Sequence, residues 1–192
     1  YVPHGIDEEV FRPITKDDKH VKELNETRTR LLGNKEYDMV AFFNSRNIRR
    51  KCISDLFAAW KVFKDGLPKA KQDKVALILH TAPVDDNGTD LYAIRDLLFG
   101  DDPNILFSDG RITPESMNVL YNMADVTILP SSNEGWGLAL TESMMAGTMI
   151  LANTTGGMQD QMRFVDGKGN WYTNSKEIPS NHYGTFTEHG EW

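Results

Sequence analysis

The chain has 192 residues, 40% hydrophobic and 26% charged, enough to bury the core of one ordinary domain but cramped for two. Its formal net charge of −7 argues against a nucleic-acid or anionic-membrane surface and is mainly a statement about solubility. One cysteine, Cys52, excludes an intrachain disulfide framework; it is expected to pack as a small apolar residue in a reducing compartment, most simply the cytoplasm. No apolar run approaches the ~18 residues of a membrane span, and no charged-then-apolar leader opens the chain.

Taken in order, residues 14–35 are polar and charged without a buried face, as in a surface excursion or a short exposed helix. Met39 to Phe43 is the first short, continuously apolar run expected of a buried parallel strand. Ile53, Leu56, Phe57, Trp60 and Phe63 then recur at helical spacing. A second strand is predicted over Val75 to Leu79, a helix on Leu91, Ile94, Leu97 and Leu98, and a third strand over Ile105 to Phe107. Thr113-Pro114-Glu115 is a helix start, because threonine caps, proline suits the first turn and an acid suits the helix dipole. Met117, Leu120, Tyr121 and Ala124 continue that helix as core positions. Val126 to Leu129 reads as a strand, Leu138 to Met145 as a helix and Met149 to Ala152 as a last strand, whereas 166–192 is irregular. Strands alternating with helices predict an α/β fold, a Rossmann-like parallel sheet flanked by helices. Right-handed crossovers then place ligands beyond the C-terminal strand ends.

The most informative stretch is Ser131-Ser132-Asn133-Glu134-Gly135-Trp136-Gly137-Leu138-Ala139-Leu140-Thr141-Glu142, where two glutamates bracket a glycine-rich corner from strand to helix. The first-turn amides of such a helix lack partners, its dipole favours negative charge, and glycine admits a ligand close to the main chain, so the corner suits phosphate. At a rise of about 1.5 Å per residue, Glu142 lies roughly one turn inside the helix, so the two acids are placed to flank a bound diphosphate. Arg46 and Lys51 follow the first strand, where a doubly wound sheet presents side chains to its ligand. There they either neutralise a diphosphate or belong to a solvated basic run capping a helix. Five histidines and the lone thiol show no metal-ligand spacing, and neither a P-loop nor G-x-G-x-x-G is present, so no cofactor is expected.

At these residues the chain resembles the C-terminal, nucleotide-sugar-binding half of the GT-B retaining glycosyltransferases of group 1, which carry an E-x7-E motif. Tyr1-Val2-Pro3-His4-Gly5-Ile6-Asp7 with Val10-Phe11-Arg12-Pro13 resembles the family's interdomain segment, and Asn44 to Lys51 its R-x4-K loop. Ala124 to Ser131 resembles the strand before the motif, and Ala146-Gly147 with Gly156-Gly157 its sequel. A lone E-x7-E arises by chance in many acidic proteins; four segments in the family's order rarely do.

The resemblance implies residues 1–13 as interdomain linker, 14–165 as the nucleotide-sugar-binding domain and 166–192 as an irregular tail, expected to be truncated. It implies that Arg46 and Lys51 stabilise the departing diphosphate without a metal, that Glu134 orients the transferred sugar, and that Glu142 holds the ribose. Gly135, Trp136, Gly137 and Leu138 would offer amides to phosphate or sugar, with the Trp136 ring packing the corner. Asp109-Gly110-Arg111-Ile112 would meet the nucleobase through its backbone, and Asn153 to Gly157 either closes the pocket floor or simply packs. The family usually has glycine after its lysine; Cys52 stands there, which leaves Arg49 or Arg50 as substitutes if the loop is altered. The opening without methionine is expected of a fragment whose acceptor domain is missing, the acceptor being a glycan, lipid or small molecule. A non-catalytic nucleotide-sugar-binding module, or a GT-B relative such as a sugar-nucleotide epimerase, remains as the alternative.

Overall fold

Alternation along the strands decides the layering. In the computed structural model, which describes residues 4–153, 155–161 and 168, the strands are β1 (Met39–Asn44), β2 (Val75–His80), β3 (Ile105–Ser108), β4 (Val126–Leu129) and β5 (Met149–Ala152). They pair in parallel in the order β3-β2-β1-β4-β5. Ala41, Phe43, Val75, Leu77 and Leu79 turn to one face; Val40, Phe42, Ala76 and Ile78 turn to the other. With both faces apolar, both must be covered. Helices α2 (Ile53–Gly66) and α4 (Leu91–Phe99) cover the first, and α1 (Val21–Leu32), α5 (Pro114–Met123) and α6 (Leu138–Met145) the second. The short α3 (Lys69–Gln72) precedes β2, and α7 (Met158–Gln161) follows β5.

The α/β class and all five strands are as the sequence predicts, with β1, β2 and β3 each one residue longer at a polar C-terminal end, Asn44, His80 and Ser108. Thr113 caps α5 as expected, its hydroxyl accepting from the Ser116 N–H at 3.2 Å. Four expectations need correction. The 14–35 region does have a buried face: α1 buries Thr27 and Leu32 and packs Leu24 and Leu31 onto the second core, a stripe obscured by the density of charge around it. Leu97 is 83% exposed, because the inward positions of α4 are Leu91, Ile94 and Leu98, and Leu97 sits off that stripe. Phe63 lies at the rim, 39% exposed, against Trp60. Strand β5 is not buried on both faces, since Met149 is 68% and Leu151 53% exposed at the margin of the described sheet. The expected irregular segment 166–192 lies outside the described residues apart from Lys168, and so does Tyr1-Val2-Pro3 of the linker.

The chain builds outward from β1 through β2 to β3, then crosses back to add β4 and β5 on the other side of β1. Connections leaving β1 and β4 therefore diverge and open a crevice at their C-terminal ends, the place where such sheets bind ligands.

One backbone detail shapes that crevice. After β1 a short 3-10 turn, Arg49–Lys51, ends at Cys52, whose φ of 53° and ψ of 39° lie in the left-handed region, and α2 begins at the next residue. Among the described residues Cys52 is the only non-glycine with positive φ. A bend that glycine takes without strain is thus made here by a residue with a side chain. Cys52 is only partly buried, its thiol near the Arg50 carbonyl at 3.6 Å, and its role is conformational rather than apolar packing. Left-handed backbone costs a side-chain-bearing residue about 1–2 kcal/mol, while glycine gives back part of that through the freedom of the unfolded chain. Cys52→Gly is expected to gain about 0.5–1 kcal/mol and raise the thermal midpoint by about 2 °C, with Cys52→Val lowering it because a β-branched side chain tolerates this bend worst. Circular-dichroism melts of the two variants check the signs.

Candidate functional site

The loop from β1 to α2 is held from both sides. Asn47, 2% exposed, donates through Nδ2 to the carbonyls of Pro83 (3.2 Å) and Thr89 (2.6 Å), and its Oδ1 accepts from the Thr89 N–H at 3.2 Å. Gly88 approaches so closely that a Cβ there would lie 2.3 Å from the Asn47 carbonyl oxygen. On the other side, the Arg50 carbonyl accepts from the Ser132 N–H at 2.8 Å, and the Arg50 guanidinium donates to the Asn133 carbonyl and to Glu134 Oε2, both at 2.8 Å. Lys51 Nζ donates to the second oxygen, Glu134 Oε1. Lys51 and Glu134 are both buried, at 9% and 7% exposure.

The corner after Glu134 is fixed by backbone contact. Cβ atoms added to Gly156 or Gly157 would lie 2.0 Å from the carbonyl oxygens of Glu134 and Gly135 respectively, and the Gly157 N–H donates to the Glu134 carbonyl at 3.0 Å. The Asn153 to Gly157 stretch thus braces the corner from behind; Thr154 lies outside the described residues. Gly137, with φ of 84°, turns the chain into α6, which has no side-chain cap, so its first-turn amides face the crevice without one. Trp136 packs the corner as expected, its indole N–H donating to Thr141 Oγ1 at 3.0 Å and its ring 5.8 Å from that of His4.

Two cavities meet at Asn44 and Ser45. The first, about 440 Å³, is lined by Arg50, Lys51, Glu134, Gly135, Trp136, Gly137, Leu138 and Glu142, with His4, Leu129 and Ala139. The second, about 580 Å³, is lined by Arg46, His80, Thr81, Ala82, Asp85, Asp109, Gly110 and Arg111. Both glutamates and Lys51 are therefore brought together with the whole glycine corner. Arg46 is not: its guanidinium holds Asp85 through two bonds of 2.8 and 3.2 Å on the far side of Ser45. Arg111 shares that second cavity with Arg46, whereas Ile112 lies just outside its lining at 37% exposure. Among the described residues no group of three or more His, Cys, Asp or Glu is arranged to hold a metal ion, and no helix is long and apolar enough to cross a membrane.

The two carboxylates are pushed in opposite directions. Burial alone would raise the Glu134 carboxyl, but the interactions with Lys51, Ser131 and Arg50, that with Lys51 the largest, outweigh it and hold the pKa below the ordinary glutamate value. Glu142 is raised by burial, which one hydrogen bond from Tyr121 only partly offsets. Burial and the neighbouring Glu142 charge lift the Tyr121 phenol well above its usual range, so it stays a protonated donor. His80, lowered by burial, faces the second cavity as a neutral ring beside Ser108.

Sequence patterns single out neither Asn44 nor Ser45, because a polar residue ending an apolar strand is commonplace. Asp85 hides in an Asp-Asp pair of a polar stretch, and Tyr121 counts as core, which its ring is but its hydroxyl is not.

Residues 96–177 match the family model described as Glycosyl transferases group 1. A D-inositol 3-phosphate glycosyltransferase of Corynebacterium urealyticum is 41% identical over 46 residues, 24% of this chain but 11% of that protein's length. The C-terminal domain of a glycosyl transferase group 1 family protein from Francisella tularensis superposes with a TM-score of 0.57 at 18% identity, covering 80% of this chain and 72% of that one. An Anabaena protein solved with UDP-glucose gives a TM-score of 0.62 at 19% identity, covering 81% of this chain and 38% of its own. The family model thus matches less than half of this chain, the solved neighbours share its fold, that of a GT-B C-terminal domain, and the chain spans well under half of the Anabaena neighbour.

The ion pair makes a prediction of its own. A carboxyl whose pKa is depressed on folding contributes stability that is complete above its unfolded value and lost as pH falls through the folded one. Breaking a buried pair also strands its partner, so Glu134→Gln is expected to lose about 2 kcal/mol near pH 7. In urea titrations the gap between wild type and variant should stay constant down to the ordinary glutamate value of 4.5 and close below it; a gap that does not change with pH contradicts the assigned pair.

Proposed function

We propose that this chain is the donor-binding domain of a retaining glycosyltransferase, which takes a sugar from a nucleoside diphosphate and passes it to an acceptor bound by another domain. The observation that carries this reading is Glu134 held between Lys51 and Arg50 in the same cavity as Glu142 and the uncapped start of α6. Two cations, amides at a helix N-terminus that has no side-chain cap among the described residues, and two carboxylates in opposite protonation environments match the parts of a nucleotide sugar: an anionic diphosphate and hydroxyl-rich rings on either side.

In this reading the diphosphate lies on the amides of Gly135 to Leu138, where Lys51 and Arg50 supply the positive charge. As the bond between the anomeric carbon and the phosphate oxygen breaks, the electron pair leaves with that oxygen, and cations already in place favour the transition state over the bound donor. Glu134 accepts from sugar hydroxyls and offsets positive charge at the anomeric centre, a positioning and electrostatic role without a covalent bond. Glu142 accepts from the ribose. Arg46 joins the diphosphate by exchanging Asp85 for phosphate, and the backbone beside Arg111 and Ile112 meets the base in the second cavity. No cofactor beyond the donor is invoked, and a single cysteine suits a reducing, cytoplasmic setting. The acceptor, whether glycan, lipid or small molecule, is left to the other domain, which also closes the crevice to water.

Calorimetric titration of the 192-residue chain with UDP, GDP and ADP tests the donor site. UDP is the first choice, given the UDP-glucose in the Anabaena neighbour. One nucleotide is expected to bind selectively, with Lys51→Ala and Glu142→Ala each weakening it roughly tenfold or more, since hydrogen bonds to charged groups carry about 1.5–3 kcal/mol. A folded chain that binds none of the three removes the donor-site reading. In a longer protein containing the acceptor domain, loss of transfer on Glu134→Gln with donor binding retained would mark an enzyme; a parent that binds donor and transfers nothing would be a binding module.

A further inference from the structure

Tyr121 is the largest fully buried side chain among the described residues, 0% exposed, and it sits on α5, away in sequence from every motif of the crevice. Its ring is wedged edge-on against Phe42 (5.3 Å between centroids, 86° between planes) and Phe11 (6.2 Å, 65°). Its own carbonyl is tied by the Thr148 hydroxyl at 2.7 Å, so neither ring nor backbone is free to swing. Phenylalanine would fill the same space without a buried hydroxyl to satisfy. The hydroxyl is engaged at both of its ends: Asn44 Nδ2 donates to it at 2.9 Å, and it donates to Glu142 Oε2 at 2.6 Å.

The direction of this chain of bonds follows from chemistry. An amide N–H can only donate, a phenol has one proton, and that proton is therefore spent on the carboxylate. The bond at 2.6 Å has the length of an O–H donor on a charged acceptor. It fixes one oxygen of Glu142, while the other has no partner among the described residues. Asn44, which ends β1 and lines both cavities, ties the arrangement to the point where the sheet reverses.

We infer that Tyr121, itself held by Asn44, is a positioning residue that fixes Glu142 so that its second carboxylate oxygen reads a hydroxyl of the donor's ribose. The inference rests on the donor-site reading above and adds a specific consequence to it: discrimination between ribose and deoxyribose depends on a residue that never touches the ligand. A carboxylate held at one oxygen meets a fixed hydroxyl without first being ordered, whereas a free one loses rotamer freedom on binding.

The test compares UDP with 2′-deoxy-UDP, or the matching pair for whichever diphosphate binds, on wild type, Tyr121→Phe, Glu142→Gln and the double variant. Wild type is expected to prefer the ribonucleotide by roughly tenfold or more, the range for a hydrogen bond to a charged group. Tyr121→Phe is expected to cut that preference at least about fivefold while affinity for the deoxy form changes less than about twofold, and to have no further effect once Glu142 is Gln. Equal losses for both nucleotides, or an unchanged preference in a variant that melts cooperatively, would overturn the inference and leave the donor site standing. If wild type binds neither nucleotide, the donor-site reading itself fails and this inference falls with it. Should Tyr121→Phe not fold, Asn44→Ala, which leaves the phenol in place but unanchored, decides by the same ratio.

Discussion

The Lys51–Glu134 ion pair joins the two loops that form the lips of the crevice, and much of the local structure serves to bring those two side chains together. Buried charge pairs contribute little net stability, because desolvation offsets attraction, so its value lies in placement. Lys51 ends a short turn that closes on the left-handed Cys52, and Asn47 anchors the loop ahead of it. Glu134 is presented by a corner that Gly156 and Gly157 press against with bare backbone. Charges held this way need no reorganisation when an anion arrives, and their low-dielectric surroundings strengthen what they do to it.

Around that pair the sheet divides the labour. The reversal of strand order at β1 and β4 supplies an opening, α6 supplies first-turn amides that have no side-chain cap among the described residues, and the two cavities share Asn44 and Ser45, which in the proposed reading separate a phosphate end from a base end. Opposite perturbations of Glu134 and Glu142 follow from their partners. One carboxylate has two cations, and the other has a single phenol in a largely buried setting. The first stays ionised through mild acid and suits an electrostatic role, whereas the second is a hydrogen-bonding group whose charge is more easily lost.

Much of this architecture was legible in the sequence because strands buried on both faces are continuous apolar runs and the helices between them are striped. The signal weakened where burial is partial. The face of α1 was lost among charges, Leu97 looked inward by composition alone, and β5 looked like an interior strand though one face of it is open. Around the crevice, the residues that line one cavity and were legible as a group are those set by local chemistry: the glycine corner, both glutamates and Lys51. Those set by long-range pairing were not. Nothing near Arg46 announces Asp85, which is thirty-nine positions away, and nothing in a core stripe shows that the Tyr121 hydroxyl meets a carboxylate twenty-one positions on. The left-handed bend at Cys52 was equally hidden, since a cysteine gives no local sign of positive φ.

The central claim is that an anionic nucleotide ligand sits on the Gly135 to Leu138 corner between Lys51 and Glu142. Backbone amide NMR of the nitrogen-15-labelled chain, recorded as UDP is added, tests it most directly, because the amides themselves are the proposed ligands. The account predicts saturable shifts concentrated at Gly135, Trp136, Gly137, Leu138 and the Arg50–Lys51 segment, with a second group at Gly110 and Arg111. Shifts confined to the opposite end of the sheet, around Asn34 to Asp38, or an unchanged spectrum with GDP and ADP as well, would contradict it.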